Sequence, residues 1–283
     1  MQFAVIGDKG MLGQEIRGWL EAKGHTVSGF NRTNLDLSDS PQLLKETIGP
    51  VDVVINAVAY TLVDEAEINE SLANLVNGEY AGKLAKVALL ADAKLMHVST
   101  DYVFSGQAVS PVDIGSPTGP INAYGRSKLL GEKLVAESGA RYQIFRTAWL
   151  YGSTGNCFPK SIARKYREQG FVNVVNDQFG QPTWTRDLAS IIYGHSFADF
   201  DEPIVHAVAS GVASWYDFAL AVANSMNGNT EIKVNEITSR ELILPARRPA
   251  YSVLNNIETA GPIIGDWRER WEVASSDVLS SIQ

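Results

Sequence analysis

The segment INAYGRSKLLGEKLV sets Tyr124 and Lys128 four residues apart, so on a helix both side chains leave one face. A tyrosine titrates at about pH 10 in water, and a neighbouring ammonium favours phenolate, which brings the group toward acid–base work near neutrality. The pair is common by itself, and its weight comes from following an apolar run that ends in hydroxyls and an acid. That run, HVSTDYVFSG, carries Ser99, Thr100 and Asp101 where an apolar strand leaves the core. Open α/β sheets deliver ligand-facing groups at the carboxyl ends of their strands, where the Thr100 hydroxyl suits a substrate carbonyl beside Tyr124. The competing reading is a local turn capped by Thr100 and Asp101.

Such groups need a sheet to carry them. Apolar strand-like runs recur at residues 3–6, 26–30, 51–57, 94–98, 142–147, 172–175 and 204–208, with helix-like segments between most of them. The alternation predicts an α/β fold, a Rossmann-type doubly wound parallel sheet with a smaller C-terminal substrate-binding lobe. VDVVINAVA lacks a period of two, as a strand covered on both faces should. In FAVIGDKGMLGQEI, Gly7, Gly10 and Gly13 lie between a strand and a helix opening near Leu12. A turn of this kind lets backbone amides approach a pyrophosphate, although G-x-x-G-x-x-G departs from the usual dinucleotide spacing and a plain tight turn is the alternative. The second strand, HTVSGF, ends in Asn31 and Arg32 where an acid would accept from the ribose 2′-hydroxyl of NAD. A guanidinium suits a 2′-phosphate, which favours NADPH with NADH as the alternative, unless Arg32 is merely solvated. Asp36 either lies near the adenine or serves as a turn residue. With a dinucleotide present, Lys128 also reaches the nicotinamide ribose hydroxyls.

The 283 residues are enough for a large core. Residues 1–150 are expected to form the NAD(P)-binding domain, joined by the strands near 172–175 and 204–208. Residues 151–283 are expected to form mainly the interleaved substrate lobe. Between Phe104 and Tyr124 a loop with Pro111, Pro117 and Pro120 has the length of a functional loop. A net charge of −8 opposes a general grip on nucleic acid. Cys157 is the only cysteine, which excludes an internal disulfide and a thiolate-rich zinc site. No run approaches the roughly 18 apolar residues of a membrane span, and Met1 leads directly into a strand, so a cytoplasmic protein is expected. His25, His97, His195 and His206 lack ligand spacing and no metal site is expected; His97 reads as a hydrogen-bonded core residue. Trp215 and Phe218, after the N-cap candidate Ser214, read as core.

Together with Y-x-x-x-K, the stretches INAVAYTLVDEAE, HVSTDYVFSG, FRTAWLYG, NDQFGQPTW, VASGVASWYDFA and PARRP resemble the extended short-chain dehydrogenase/reductase family, in its dTDP-4-dehydrorhamnose reductase branch. The resemblance covers nearly the whole chain. It implies reduction of the 4-keto group of a dTDP-4-dehydro-β-L-rhamnose by NAD(P)H, the last step of dTDP-L-rhamnose biosynthesis. It also implies Tyr124 as proton donor, Lys128 as its partner and ribose anchor, and Thr100 as the hydroxyl that orients the carbonyl. Gly10, Met11 and Leu12 match the phosphate turn, Asp36 and Leu37 the adenine side, and Ala59, Tyr60, Thr61 and Val98 the path along the cofactor. Asp101 and Trp149 match substrate positions, Trp149 otherwise reading as core. Arg247 and Arg248 offer a bidentate clamp for the substrate diphosphate, against a solvated turn or salt bridge. Some members are dimers bridged by a divalent metal. Glu15 fits the first acidic position, but Arg186 and Ser190 stand where the later acids belong, so the bridge is not expected, Glu15 reads as an exposed helix residue, and a monomer or homodimer stays open. Three rivals remain. A 4,6-dehydratase would carry a glutamate where Tyr102 stands. An epimerase or other 4-ketoreductase shares the Tyr/Lys pair, and a non-catalytic subunit like that of methionine adenosyltransferase retains the fold.

Overall fold

The computed structural model describes residues 1–197, 202–226, 233–256 and 264–282. The strands are β1 (Gln2–Ile6), β2 (Thr26–Phe30), β3 (Val53–Asn56), β4 (Lys94–Thr100), β5 (Arg141–Thr147), β6 (Leu150–Tyr151), β7 (Phe171–Val175), β8 (Phe179–Gly180), β9 (Thr183–Trp184), β10 (Ile204–His206), β11 (Ala213–Ser214) and β12 (Lys233–Ile237). The α-helices are α1 (Met11–Ala22), α2 (Pro41–Ile48), α3 (Val63–Ala66), α4 (Glu70–Ala73), α5 (Tyr80–Leu90), α6 (Ala123–Ala136), α7 (Phe158–Gln169), α8 (Thr185–His195), α9 (Trp215–Ser225) and α10 (Trp267–Leu279). A π-helical segment, Asn74–Glu79, joins α4 to α5.

Six strands form one parallel sheet in the order β10-β5-β4-β3-β1-β2. Strand order reverses between β1 and β3, which opens a crevice at the carboxyl edge, the place where such sheets bind ligands. Side chains alternate across the sheet as strand geometry requires. Phe3, Val5, Ile55, Met96 and Phe145 share one core with α1 and α8, whereas Ala4, Ile6, Val54, Leu95 and Ile144 share another with α2 and α5. The first core continues without a break into Ile162, Phe218, Trp267 and Trp271 of the later helices.

Strand β10 joins the sheet as the sequence indicated, but β7 does not. Among the described residues it pairs only with β12, in a parallel two-stranded ribbon. The free edge of β5 is already taken by β10, and Val172 and Val174 are buried in the same core as Ile162 of α7 and Phe218 and Val222 of α9.

The helix carrying Tyr124 sits close to its neighbour because glycines line the contact. A Cβ on Gly131 would strike the Asn77 carbonyl, and one on Gly78 or Gly82 would meet Leu130 or Leu134. Helix propensity alone favours alanine over glycine by about 1 kcal/mol. At Gly131 the steric clash with backbone outweighs that gain, since overpacking costs ~1–3 kcal/mol. Gly131→Ala is therefore expected to lower Tm by several degrees, while Gly18→Ala, where nothing lies within 4 Å, raises it slightly. Thermal unfolding followed by circular dichroism checks both, and a Gly131→Ala variant as stable as the parent would contradict this packing.

Candidate active site

The last residue of β4 is Thr100, two positions beyond the run visible in the sequence. Its Oγ1 donates to Asp101 Oδ1 at 2.8 Å and accepts from the Tyr102 amide at 3.2 Å, so it caps the short 3₁₀ turn Asp101–Val103. The turn reading and the site reading thus describe one residue. Asp101 is only 2% exposed, and burial pushes its carboxyl up to about 6.

Helix α6 begins at the Asn122 N-cap, whose Oδ1 accepts from the Gly125 amide at 2.8 Å. Tyr124 in its first turn lies beside Thr100, with its ring edge-on to Tyr102 at 5.8 Å. Burial pushes the Tyr124 phenol up to about 12, the Thr100 hydrogen bond opposing and the Asp101 charge adding. This departs from the lowering by Lys128 expected from the spacing. Lys128 adds nothing to the shift, its Nζ donating instead to the Val98 carbonyl at 2.6 Å. Burial brings the ammonium down to about 8, against the pull of Glu132. Tyr124 is accordingly a neutral phenol at physiological pH, the form that can give a proton.

Several supporting residues escaped the sequence reading. The Asn77 carboxamide, inside the π segment, accepts from the Tyr60 amide at 2.7 Å and donates to Ser127 Oγ at 2.8 Å. Glu132 accepts from Ser99 Oγ at 2.6 Å and forms a two-pronged pair with Arg146 at 2.7 and 3.0 Å. Arg146 also donates to the Ile114 carbonyl of the Pro-rich loop. Their only sequence signal is a polar residue on an otherwise apolar face, which helices and strands often carry outward.

The glycine turn forms a cradle. Gly7 has φ of +92°, and a Cβ on Gly13 would strike the Gly7 carbonyl. No side chain caps the amides of the first α1 turn at Met11, Leu12 and Gly13. A close, donor-rich concavity of this kind fits the pyrophosphate of a dinucleotide. At the end of β2, Arg32 is exposed, while Asp8, also unforeseen, is buried between Asn31 Nδ2 at 2.9 Å and Arg17 Nη1 at 3.3 Å. Asp36 accepts from the Ser38 amide, and Lys83 holds the carbonyls of Leu37, Ser38 and Asp39. Ala59, Tyr60 and Thr61 follow β3 at the same edge, and Val98 lies within β4 two residues before its end.

Other candidates are engaged differently. Arg248 grips both oxygens of Asp64 at 2.8 Å and so presents no free fork, whereas Arg247 is exposed. Trp149, with φ of +45°, stacks flat on Trp215 at 3.5 Å, so one indole face is covered. Trp215 itself is only partly buried, while Phe218 is fully so. His97 is a core residue bonded to Asn56 Nδ2 at 3.0 Å. Glu15 is not simply exposed: it is largely covered and paired with Arg186 at 3.1 Å, because that guanidinium stands where the sequence lacked an acid. Asp187 is held by Arg270.

A family model described as the RmlD substrate binding domain matches residues 1–283. The chain is 37% identical to a dTDP-4-dehydrorhamnose reductase of Burkholderia thailandensis, over 99% of this chain and 100% of that protein. It is 36% identical to a probable dTDP-4,6-dihydroxy-2-methyloxan-3-one 4-ketoreductase of Streptomyces antibioticus, over 99% and 97%. Its fold matches a dTDP-4-dehydrorhamnose reductase of Bacillus anthracis solved in complex with NADP, with a TM-score of 0.90 and 31% identity over 96% and 98% of the two chains. Matched along its whole length, the chain belongs to the RmlD substrate binding domain family, within the extended short-chain dehydrogenase/reductases.

Proposed function

We propose that this chain reduces the 4-keto group of dTDP-4-dehydro-β-L-rhamnose to give dTDP-L-rhamnose with NADPH, the last step of dTDP-L-rhamnose biosynthesis. The observation that carries the reading is the convergence of Thr100, Tyr124 and Lys128 at the carboxyl end of β4, with Tyr124 held as a phenol. The family membership and the relatives' reductase activity support it. Tyr102 stands where a dehydratase would need a second carboxylate.

NADPH, when bound, supplies the hydride that the chain itself cannot. The amides of Met11, Leu12 and Gly13 in the Gly7–Gly10–Gly13 turn would hold its pyrophosphate, Arg32 its 2′-phosphate, and Asp36 and Leu37 its adenine side. Ala59, Tyr60, Thr61 and Val98 would line its course, and Lys128 would hold ribose hydroxyls. Tyr124 Oη gives its proton to the C4 oxygen of the sugar as negative charge develops there, and Thr100 orients that oxygen. Because Asp101 is sealed, its link to the sugar runs through Thr100. Trp149, stacked on Trp215 and packed against Gly180, would meet the sugar with the part of its ring that these leave open. Arg247 meets the diphosphate without Arg248, which Asp64 has already engaged. Residues 1–150 with β10 carry the cofactor, and the remainder mainly the substrate. The setting is the cytoplasm, where nucleotide sugars and NADPH are available, as a monomer or homodimer; no helix among the described residues is long and apolar enough to cross a membrane.

NADPH oxidation with enzymatically made dTDP-4-dehydro-β-L-rhamnose, its product identified by mass and stereochemistry, tests the assignment against other 4-keto sugar nucleotides. Tyr124→Phe is expected to lower kcat by roughly 100- to 10,000-fold with cofactor binding nearly intact. A variant at full rate would remove Tyr124 as the donor. Lys128→Met is expected to weaken NADPH binding about tenfold or more and to slow turnover, since a charged hydrogen bond contributes about 1.5–3 kcal/mol. Unchanged NADPH affinity by titration would take away the ribose-anchoring role. For Arg32→Asp the ratio of NADPH to NADH efficiency should fall by about tenfold, and an unaltered ratio would rule out contact with the 2′-phosphate.

A further inference from the structure

We propose that Asp101 is a positioning residue and proton reservoir: its carboxyl sets the direction in which Thr100 donates, and the productive complex carries a proton there. This deepens the reduction proposed above and rests on it.

A threonine hydroxyl has one proton to give. In the structure Thr100 gives it to Asp101 Oδ1 and receives a hydrogen bond from the Tyr102 amide. Tyr124 lies against the same oxygen. With Asp101 ionised, donation therefore runs inward, from Tyr124 through Thr100 to the carboxylate, and no Thr100 proton is left for a sugar oxygen. Protonated Asp101 reverses the order. The carboxyl then donates to Thr100 Oγ1, and the Thr100 proton turns outward toward Tyr124 and the C4 oxygen.

The surroundings make that protonation accessible. Tyr102 on the same turn, Tyr124 on α6 and Ser252 on the segment packed across the site face Asp101. Beyond Tyr102 lies the Asp64–Arg248 pair, whose charges offset each other. No basic side chain pairs with Asp101 among the described residues. Asp101 Oδ2 is sealed without a hydrogen-bond donor of good geometry, since the nearby Ser252 hydroxyl donates instead to the Phe179 carbonyl at 3.3 Å. The hydroxyls of Ser252 and Thr100 and the amides of Asp101 and Tyr102 favour the carboxylate, but burial outweighs them, and taking up a proton relieves that cost.

The protons balance. As hydride reaches C4, the Tyr124 O–H breaks and an O–H forms on the C4 oxygen. The phenolate takes the Thr100 proton, and Thr100 Oγ1 takes the carboxyl proton. Asp101 is left as carboxylate and is recharged from solvent before the next turnover.

The test compares parent and Asp101→Asn between pH 5 and 9. The parent's kcat/KM should fall about tenfold per pH unit above the Asp101 value of about 6. Asp101→Asn, whose amide can donate to Thr100 at every pH but has no proton to pass on, should turn over more slowly than the parent at pH 5 and lose that limb, its own profile level within about threefold. An Asp101→Asn profile that keeps the parent's fall would overturn the inference. A second readout needs no substrate. A carboxyl raised in the folded state contributes stability at low pH that is lost as pH rises through its folded value. The Tm of Asp101→Asn minus that of the parent should therefore grow from pH 4.5 to 7.5, and a gap independent of pH would also overturn the inference. If the parent reduces no 4-keto sugar nucleotide, the proposed function fails, whereas the melting series still reports whether Asp101 holds a proton toward neutrality.

Discussion

The backbone carbonyl of Asn77 lies so near Gly131 that no side chain fits between them, and this contact sets where α6 crosses the carboxyl end of β4. The site inherits its position from it. Tyr124 and Lys128 lie up to two turns before Gly131 on the same helix, so a displacement there would be carried to both. The neighbouring helix meets the contact with a π segment, an irregularity that turns the Asn77 side chain toward Tyr60 and Ser127. One asparagine thus braces the loop after β3 and the helix carrying the phenol.

Electrostatics in the interior divide into settled and unsettled charges. Glu132 and Arg146 are both nearly inaccessible, and their two-pronged pairing, with Ser99 on one side and the Ile114 carbonyl on the other, satisfies them together. Removing either partner would leave a buried charge at a cost of about 3–5 kcal/mol. Lys128 is satisfied by a carbonyl, and Lys160 by those of Ser153 and Gly155. Asp101 differs, since its neighbours are hydroxyls and backbone amides and not cations.

Much of this was legible in the sequence. Hydrophobic runs located the six strands of the main sheet, because burial on both faces leaves a strong local signature. The strand–turn–helix around the glycines and the shared helix of Tyr124 and Lys128 were legible for the same reason, each being local in the chain, whereas the lowering of the Tyr124 phenol expected from that spacing is reversed by burial. What stayed hidden depends on partners far away. The pairing of β7 with β12 requires knowing that β10 takes the edge of β5. The commitment of Arg248 to Asp64 joins residues 184 positions apart, and the orientation of Lys128 toward Val98 depends on the depth at which α6 packs. Asn77, Glu132 and Arg146 gave only an ambiguous signal, because a polar residue in an apolar pattern looks the same whether it faces water or a buried partner.

The order in which the sheet is completed bears on how the chain is made. β5 is an interior strand of the finished sheet, yet among the described residues its outer edge is covered only by β10, three residues long and about 60 residues later. At roughly 5–20 residues per second, translation leaves that edge unpaired for several seconds after β5 has emerged. A bare hydrophobic strand edge invites pairing with another chain. The brevity of β10 makes its arrival a matter of delivery by the surrounding helices more than of its own hydrogen bonds. Successful synthesis of this protein is therefore a race between the docking of the later lobe and the capture of an exposed edge.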